Sequence, residues 1–174
     1  MFYLVRHGQA DYSEHNQKIY QGAGVNLAPL SKDGVEEIEE TAQDRRLQGA
    51  DLIISSPYTR ALETAAILSR VTGTPITVET DLHEWLPDKH YAPDDDEKTY
   101  KAYTEYASLQ GKYPQGEERD WEEAAAVKAR IDAVLKRYKH LGKVIVVSHG
   151  MAIHATTGGM PANGEIVEYA LSDR

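Results

Sequence analysis

A chain of 174 residues without cysteine must fold without disulfides or thiolate metal sites, and its length suffices: a domain near 150 residues buries about 68–70% of its unfolded surface. The formal net charge is −9, with acid clusters at Glu36-Glu37, Glu39-Glu40, Asp94-Asp95-Asp96-Glu97 and Glu117-Glu118; such a surface repels phosphate backbones and anionic lipid, which argues against nucleic-acid and membrane partners. The longest apolar runs are four or five residues, far below the roughly 18 of a membrane span, and Met1 leads directly into a strand-like run. The expectation is a soluble, cytoplasmic protein with one domain over residues 1–174.

In chain order, the first predicted element is a strand, Phe2–Val5, whose apolar run ends in Arg6-His7-Gly8. A helix follows over Ser31 to Leu47, with Ser31 as its cap and Val35, Ile38 and Ala42 on one face. Asp51–Ile54 reads as a second strand, and Thr59 to Val71 as a helix with Ala61, Leu62, Ala65 and Leu68 on one side and Gly73 as its stop. Ile76–Val78 is a third strand. The segment from Trp85 to Gly116 then breaks the rhythm with Pro87, Pro93, Pro114 and a tyrosine-spaced helix carrying Tyr100, Tyr103 and Ala107. It reads as an insertion above the strand ends, either a cap over a site or an ordinary packing excursion. A long helix over Trp121 to Leu141, a strand at Lys143–Val147 and an edge strand at Ile166 to Leu171 complete the chain.

Near-continuous apolar strands alternating with helices predict an α/β sandwich of three layers, a mostly parallel central sheet flanked by helices. Ligands of such sheets bind outside the carboxyl ends of the strands. Two strands end there in the same dipeptide, His7-Gly8 and His149-Gly150. If those strands are neighbours, the two imidazoles converge on one small pocket. Arg6 also follows a buried run, and a permanent guanidinium there needs an anion or carboxylate to pair with. The segment IISSPYTRALETA, residues 53–65, delivers Arg60 to a helix start, where the positive end of the helix dipole disfavours a cation unless an anion joins it. Two arginines and two histidines at strand ends point to phosphate as the simplest ligand.

LVRHG, SSPYTRALETA and VVSHG, in that order, resemble the histidine phosphatase superfamily, also called phosphoglycerate mutase-like, and PLSKDG and PQGE resemble weaker landmarks of it. The resemblance covers most of the chain. It implies that His7 attacks phosphorus to form a phosphohistidine, that Arg6, Arg60 and His149 hold the phosphoryl oxygens, and that no metal or other cofactor takes part. It implies also an acid shortly after the second arginine block, and Glu84 in DLHEWLPD has that setting, with Glu79, Asp81 and Asp88 as competitors. The Gly-x-Trp-Glu-Gly run that often follows this glutamate is absent; Trp85-Leu86-Pro87-Asp88 stands there instead. Gly8, Gly150 and the polar loop residues Asn16, Gln21 and Gly22 are the candidate substrate contacts, and Gln9 replaces the glutamate common in mutase relatives.

The function expected is metal-independent hydrolysis of phosphomonoesters, with a small phosphorylated molecule or a phosphoprotein as substrate. Phosphoglycerate mutase-type transfer is the nearest alternative. It needs extra cations for a second phosphate, and residues 85–116 carry six acids against four lysines. A protein phosphohistidine phosphatase, a non-catalytic phosphate-binding protein and a metal-dependent hydrolase are the further alternatives.

Overall fold

Consecutive side chains of a strand leave it on opposite faces, so runs such as Phe2–Val5 and Val144–Val147 are buried only if both faces of their sheet are covered. The computed structural model describes residues 1–14, 24–90 and 95–171 and covers both faces of one five-stranded sheet, of order β3-β2-β4-β1-β5. Its strands are β1 (Phe2–Arg6), β2 (Leu52–Ser55), β3 (Ile76–Val78), β4 (Val144–Ser148) and β5 (Ile166–Tyr169). The first four are parallel, and β5 lies antiparallel to β1 at one edge.

The helices are α1 (Gly24–Leu27), α2 (Lys32–Thr41), α3 (Thr59–Thr72), α4 (Asp96–Ser108), α5 (Ala124–Arg137) and α6 (Gly150–Thr157). Val5, Ile53, Ile145 and Val147 pack on one side against Ile38 of α2 and Ala61, Ala65 and Leu68 of α3. Phe2, Leu4, Ile54, Val144 and Val146 pack on the other against Val127, Ile131 and Val134 of α5 and Ala152 and Ile153 of α6. The alternation assigns neighbouring strand residues to two separate cores, and the three expected layers result.

Several elements differ from their expected bounds. The helix opening at Ser31, whose Oγ accepts from Gly34 N at 3.0 Å, ends at Thr41; Asp44 then accepts from Arg46 N at 2.8 Å and starts a separate 3-10 turn over Arg45–Leu47. A short polar side chain bonding its own backbone competes with helix continuation. α5 begins at Ala124 rather than Trp121, because the preceding residues make tertiary contacts: Trp121 Nε1 donates to Glu105 at 2.8 Å, and Glu123 accepts from Tyr113 N at 2.7 Å. β3 is an exposed edge, with Ile76 and Val78 38% and 51% accessible, so its apolar run is not covered on both faces. α6 directly after the second His-Gly was not anticipated.

Residues 95–116 of the expected insertion are docked on the sheet's α5 side. Tyr106 of α4 stacks edge-on against Trp85 at 5.1 Å and Trp121 at 5.3 Å between ring centroids, and all three are buried. Tyr100 and Tyr103 are exposed.

The turn after β1 is wedged against α2. A Cβ on Gly34 would lie 2.1 Å from Gln9 O, and one on Gly8 2.6 Å from Gly34 O, both inside van der Waals contact with backbone. Overpacking of this kind costs about 1–3 kcal/mol, and 1 kcal/mol moves Tm by roughly 2–4 °C in a chain of 150–250 residues. Gly34→Ala is therefore expected to lower Tm by several degrees in a thermal melt; an unchanged Tm would show that the close approach is not needed.

Candidate active site

β1 and β4 are paired so that Arg6 lies opposite Ser148, and the ladder runs one bond further, from His7 N to Ser148 O at 3.1 Å. The two histidines that follow are thus side by side, with ring centroids 5.1 Å apart and rings inclined at 64°. Both are buried.

Two bonds fix the state of His7. Its Nδ1 lies 2.7 Å from Gly8 O, and its Nε2 lies 3.1 Å from Arg60 Nε. Arginine can only donate, so Nε2 must accept, and the proton sits on Nδ1 facing the carbonyl. Burial, followed by the charge of Arg60, lowers the His7 pKa to about 3. The ring is therefore neutral near pH 7, with its lone pair on the Nε2 edge. His149 is also held neutral, well below the usual imidazole range, by burial first and then by Arg60. Its Nε2 is 2.7 Å from Ser56 Oγ, while its Nδ1 is buried without a protein partner.

Arg60, the second residue of α3, is buried, donates from Nη1 to Val25 O at 2.7 Å and lies over the Tyr58 ring at 5.2 Å. Arg6 donates from Nη1 to Pro161 O at 2.7 Å, and its Nε is buried and unpartnered. The guanidinium lies against Gly150, where a Cβ would approach Arg6 Cζ to 3.2 Å.

Glu84 joins this group from the loop after the 3-10 turn Thr80–Leu82. Its Oε1 accepts from Trp85 N at 2.8 Å and Ala152 N at 2.9 Å, and its Oε2 from Met151 N at 3.3 Å. The carboxylate thereby satisfies free N–H groups in the first turn of α6, whose N-cap, His149, makes no side-chain cap bond. Burial pushes the Glu84 pKa up, against the lowering effect of these N–H groups and of Arg60.

A family model described as the histidine phosphatase superfamily (branch 1) matches residues 2–162. The chain belongs to this superfamily. A Hydrogenobacter thermophilus protein provisionally named phosphoserine phosphatase 2 is 30% identical over 160 residues, covering 88% of this chain and 74% of its own. A Photorhabdus laumondii protein provisionally named phosphoglycerate mutase GpmB is 26% identical over 174 residues, covering 94% and 77%. The superfamily fold is matched in the structure of a mycobacterial glucosyl-3-phosphoglycerate phosphatase, with a TM-score of 0.68 at 23% identity over 95% of this chain and 90% of that one. The histidine phosphatase relatives thus include both phosphatase-named and mutase-named proteins.

The structure brings together Arg6, His7, Arg60, Glu84 and His149. Gly8 contributes its carbonyl to His7, but its N–H is taken by Thr64 Oγ1 at 3.2 Å. It positions the histidine rather than offering an N–H to a ligand. Gly150 is the first residue of α6 and makes room for Arg6. Asn16, Gln21 and Gly22 lie outside the described residues. Among those described, no group of three or more His, Cys, Asp or Glu side chains is arranged to hold a metal ion, and no helix is long and apolar enough to cross a membrane.

Sequence reasoning missed the support behind Glu84. Arg130 of α5 donates to Asp81 O at 2.5 Å, His83 O at 2.9 Å and Glu84 O at 3.2 Å, and grips Glu122 at 2.7 and 3.0 Å. Glu122 also accepts from Leu86 N at 3.4 Å, and its carbonyl accepts from Trp85 Nε1 at 2.7 Å. This pair therefore ties the Glu84 loop to α5 from behind. Nothing in a helical pattern distinguishes such an arginine from a solvated one. Removing one partner of a buried pair costs about 3–5 kcal/mol, which at roughly 2–4 °C per kcal/mol gives Arg130→Met a Tm lower by about 6–20 °C. Arg130→Met with Glu122→Leu is expected to regain part of that loss. A change below about 2 °C in the single variant would contradict the assignment.

Proposed function

We propose that this protein is a metal-independent phosphomonoesterase that works through a phosphohistidine on His7. The observation that carries the reading is the environment of His7 Nε2: a lone pair 3.1 Å from the Arg60 guanidinium, beside His149 and near Arg6, with Arg6 Nε and His149 Nδ1 buried and unpartnered. Donors without protein partners around a neutral nucleophile suit a phosphoryl dianion, whose transfer depends on positioning and on neutralising its equatorial oxygens.

In the first step the Nε2 lone pair attacks phosphorus and the ester P–O bond breaks. Arg60 gives up its bond to Nε2 and, with Arg6, donates to the phosphoryl oxygens. If the Ser56 hydroxyl donates to His149 Nε2, the Nδ1 proton of His149 is available for a third. The His7 ring becomes cationic as the N–P bond forms, and the Gly8 carbonyl facing Nδ1–H stabilises that charge. The departing alkoxide takes a proton from Glu84, best from Oε2, which has only the longer N–H bond. Burial already raises the Glu84 pKa, and a phosphate dianion beside it raises it further by like-charge repulsion. Water then attacks phosphorus, Glu84 takes back a proton, and inorganic phosphate leaves His7 neutral again.

Hydrolysis is favoured over mutase-type transfer by the surroundings. A mutase must retain a second phosphate group, whereas no lysine or arginine among the described residues lines the pocket between α4 and α6. The site lies at the carboxyl ends of the strands, with α4 beside the start of α6.

The test is phosphate release in excess EDTA from p-nitrophenyl phosphate and from an alkyl phosphate with a poor leaving group. The wild type is expected to hydrolyse both and His7→Ala neither. Glu84→Gln should slow the alkyl ester about 10²–10⁴-fold, the usual contribution of a general acid, and the nitrophenyl ester far less. Equal rates for wild type and His7→Ala would remove the nucleophile. Activity lost to EDTA would remove metal independence, and equal slowing of both esters would remove Glu84 as proton donor.

A further inference from the structure

The leaving oxygen must reach Glu84, so the alcohol half of a bound phosphomonoester lies on the Glu84 side of phosphorus. That carboxylate is bonded to the N–H groups of Met151 and Ala152. Beside Met151 a pocket of about 370 Å³ opens between α4 and α6, lined among others by Tyr103, Tyr106, His154, Ala155 and Met160. Its volume falls at the lower end of the roughly 300–1,000 Å³ typical of small-molecule sites.

Three of these residues connect the pocket to the reaction centre. Met151 bonds Glu84 through its N–H. Tyr106 stacks edge-on against Trp85, the residue after Glu84, with ring centroids 5.1 Å apart. Met160 Sδ lies 3.3 Å from the Cβ position of Gly150, on which the Arg6 guanidinium also closes. A larger hollow of about 820 Å³ on another side of α4 is lined by Asp88, Lys98, Lys101 and Arg119 among others.

The chemistry of the lining selects the occupant. Two tyrosines, two methionines and three alanines provide apolar and aromatic surface, Gln110 adds a polar side chain, no Asp, Glu, Lys or Arg among the described residues lines the pocket, and His154 Nδ1 is buried without a hydrogen-bond partner. A carboxylate or second phosphate seated here would be desolvated with no lysine or arginine of the described residues opposite, which is unfavourable. We propose, resting on the phosphomonoesterase reading above, that the α4–α6 pocket seats the uncharged organic half of the substrate, an aromatic or aliphatic alcohol whose few hydrogen-bonding groups are directed to His154 Nδ1 and Gln110. The preferred substrates are then hydrophobic phosphomonoesters rather than phosphorylated acids.

The first measurement is kcat/KM of the wild-type protein for 2-(1-naphthyl)ethyl phosphate, methyl phosphate and phosphoserine, all alkyl esters, so that leaving-group ability does not set the ratio. The expected result is a naphthyl preference of about tenfold or more over both others, since a small change in apolar contact is worth about that much in a hydrophobic pocket. Ala155→Trp, which fills the pocket, should lower the naphthyl-to-methyl ratio about tenfold, mainly through KM. Tyr103→Ala, at the exposed rim and with little consequence for folding, should lower it in the same direction. Turnover of all three esters with no naphthyl preference, or ratios unmoved in both variants, would overturn the pocket assignment while leaving the phosphatase reading standing. Absence of turnover of any ester by the wild type would remove that reading and this proposal together.

Discussion

The parallel pairing of β1 with β4, with Arg6 set opposite Ser148, is the constraint from which the site follows. A parallel ladder fixes the relative height of two strand ends, and the last bond, from His7 N to Ser148 O, carries that register into the loops. The two imidazoles then need no long-range search to meet. Because alternate residues of both strands are locked into two separate cores, a slip of one residue would exchange the two buried faces. Hydrophobic burial on both sides of the sheet thus holds a polar arrangement at its edge.

The electrostatics are local. A chain with net charge −9 concentrates Arg6 and Arg60 where α6 and α3 begin, and burial first, then the charge of Arg60, keeps His7 and His149 neutral. For a nucleophile this is the useful state. The Arg60 charge also helps to hold the ionised form of Glu84, which caps α6, against the effect of burial. Glu84 thereby links the start of that helix to the place where a proton is needed, and Arg130 with Glu122 braces its loop from the opposite side.

Much of this could be read from the chain, and the reasons are specific. Both strands ending in His-Gly are apolar throughout, because both of their faces are covered, and that pattern marks β1 and β4 directly. Arg60 stood out because a cation at a helix start conflicts with the dipole. Glu84 was reached only through the family resemblance, since an acid in a Pro-rich loop has no periodicity to locate it. α6 was missed because its eight residues follow a strand with no polar side-chain cap of their own, the cap coming from Glu84, 66 residues before the helix begins. The early end of α2 and late start of α5 reflect side-chain bonds of Asp44, Trp121 and Glu123 that compete with helical periodicity. Arg130 and Glu122 were invisible because only the fold shows which face of α5 meets the Glu84 loop.

The account turns on one atom, His7 Nε2, left as the free lone pair because Nδ1–H faces Gly8 O. The direct measurement is to trap the enzyme during turnover of a phosphomonoester, quench it under alkaline conditions that preserve phosphoramidates, and locate the phosphoryl group by peptide mass spectrometry and by phosphorus–nitrogen coupling in NMR. The account predicts one phosphoryl group, on Nε2 of His7. A phosphoryl group on Nδ1, on His149 or on any other residue would contradict it, as would hydrolysis during which no covalent phosphoenzyme forms.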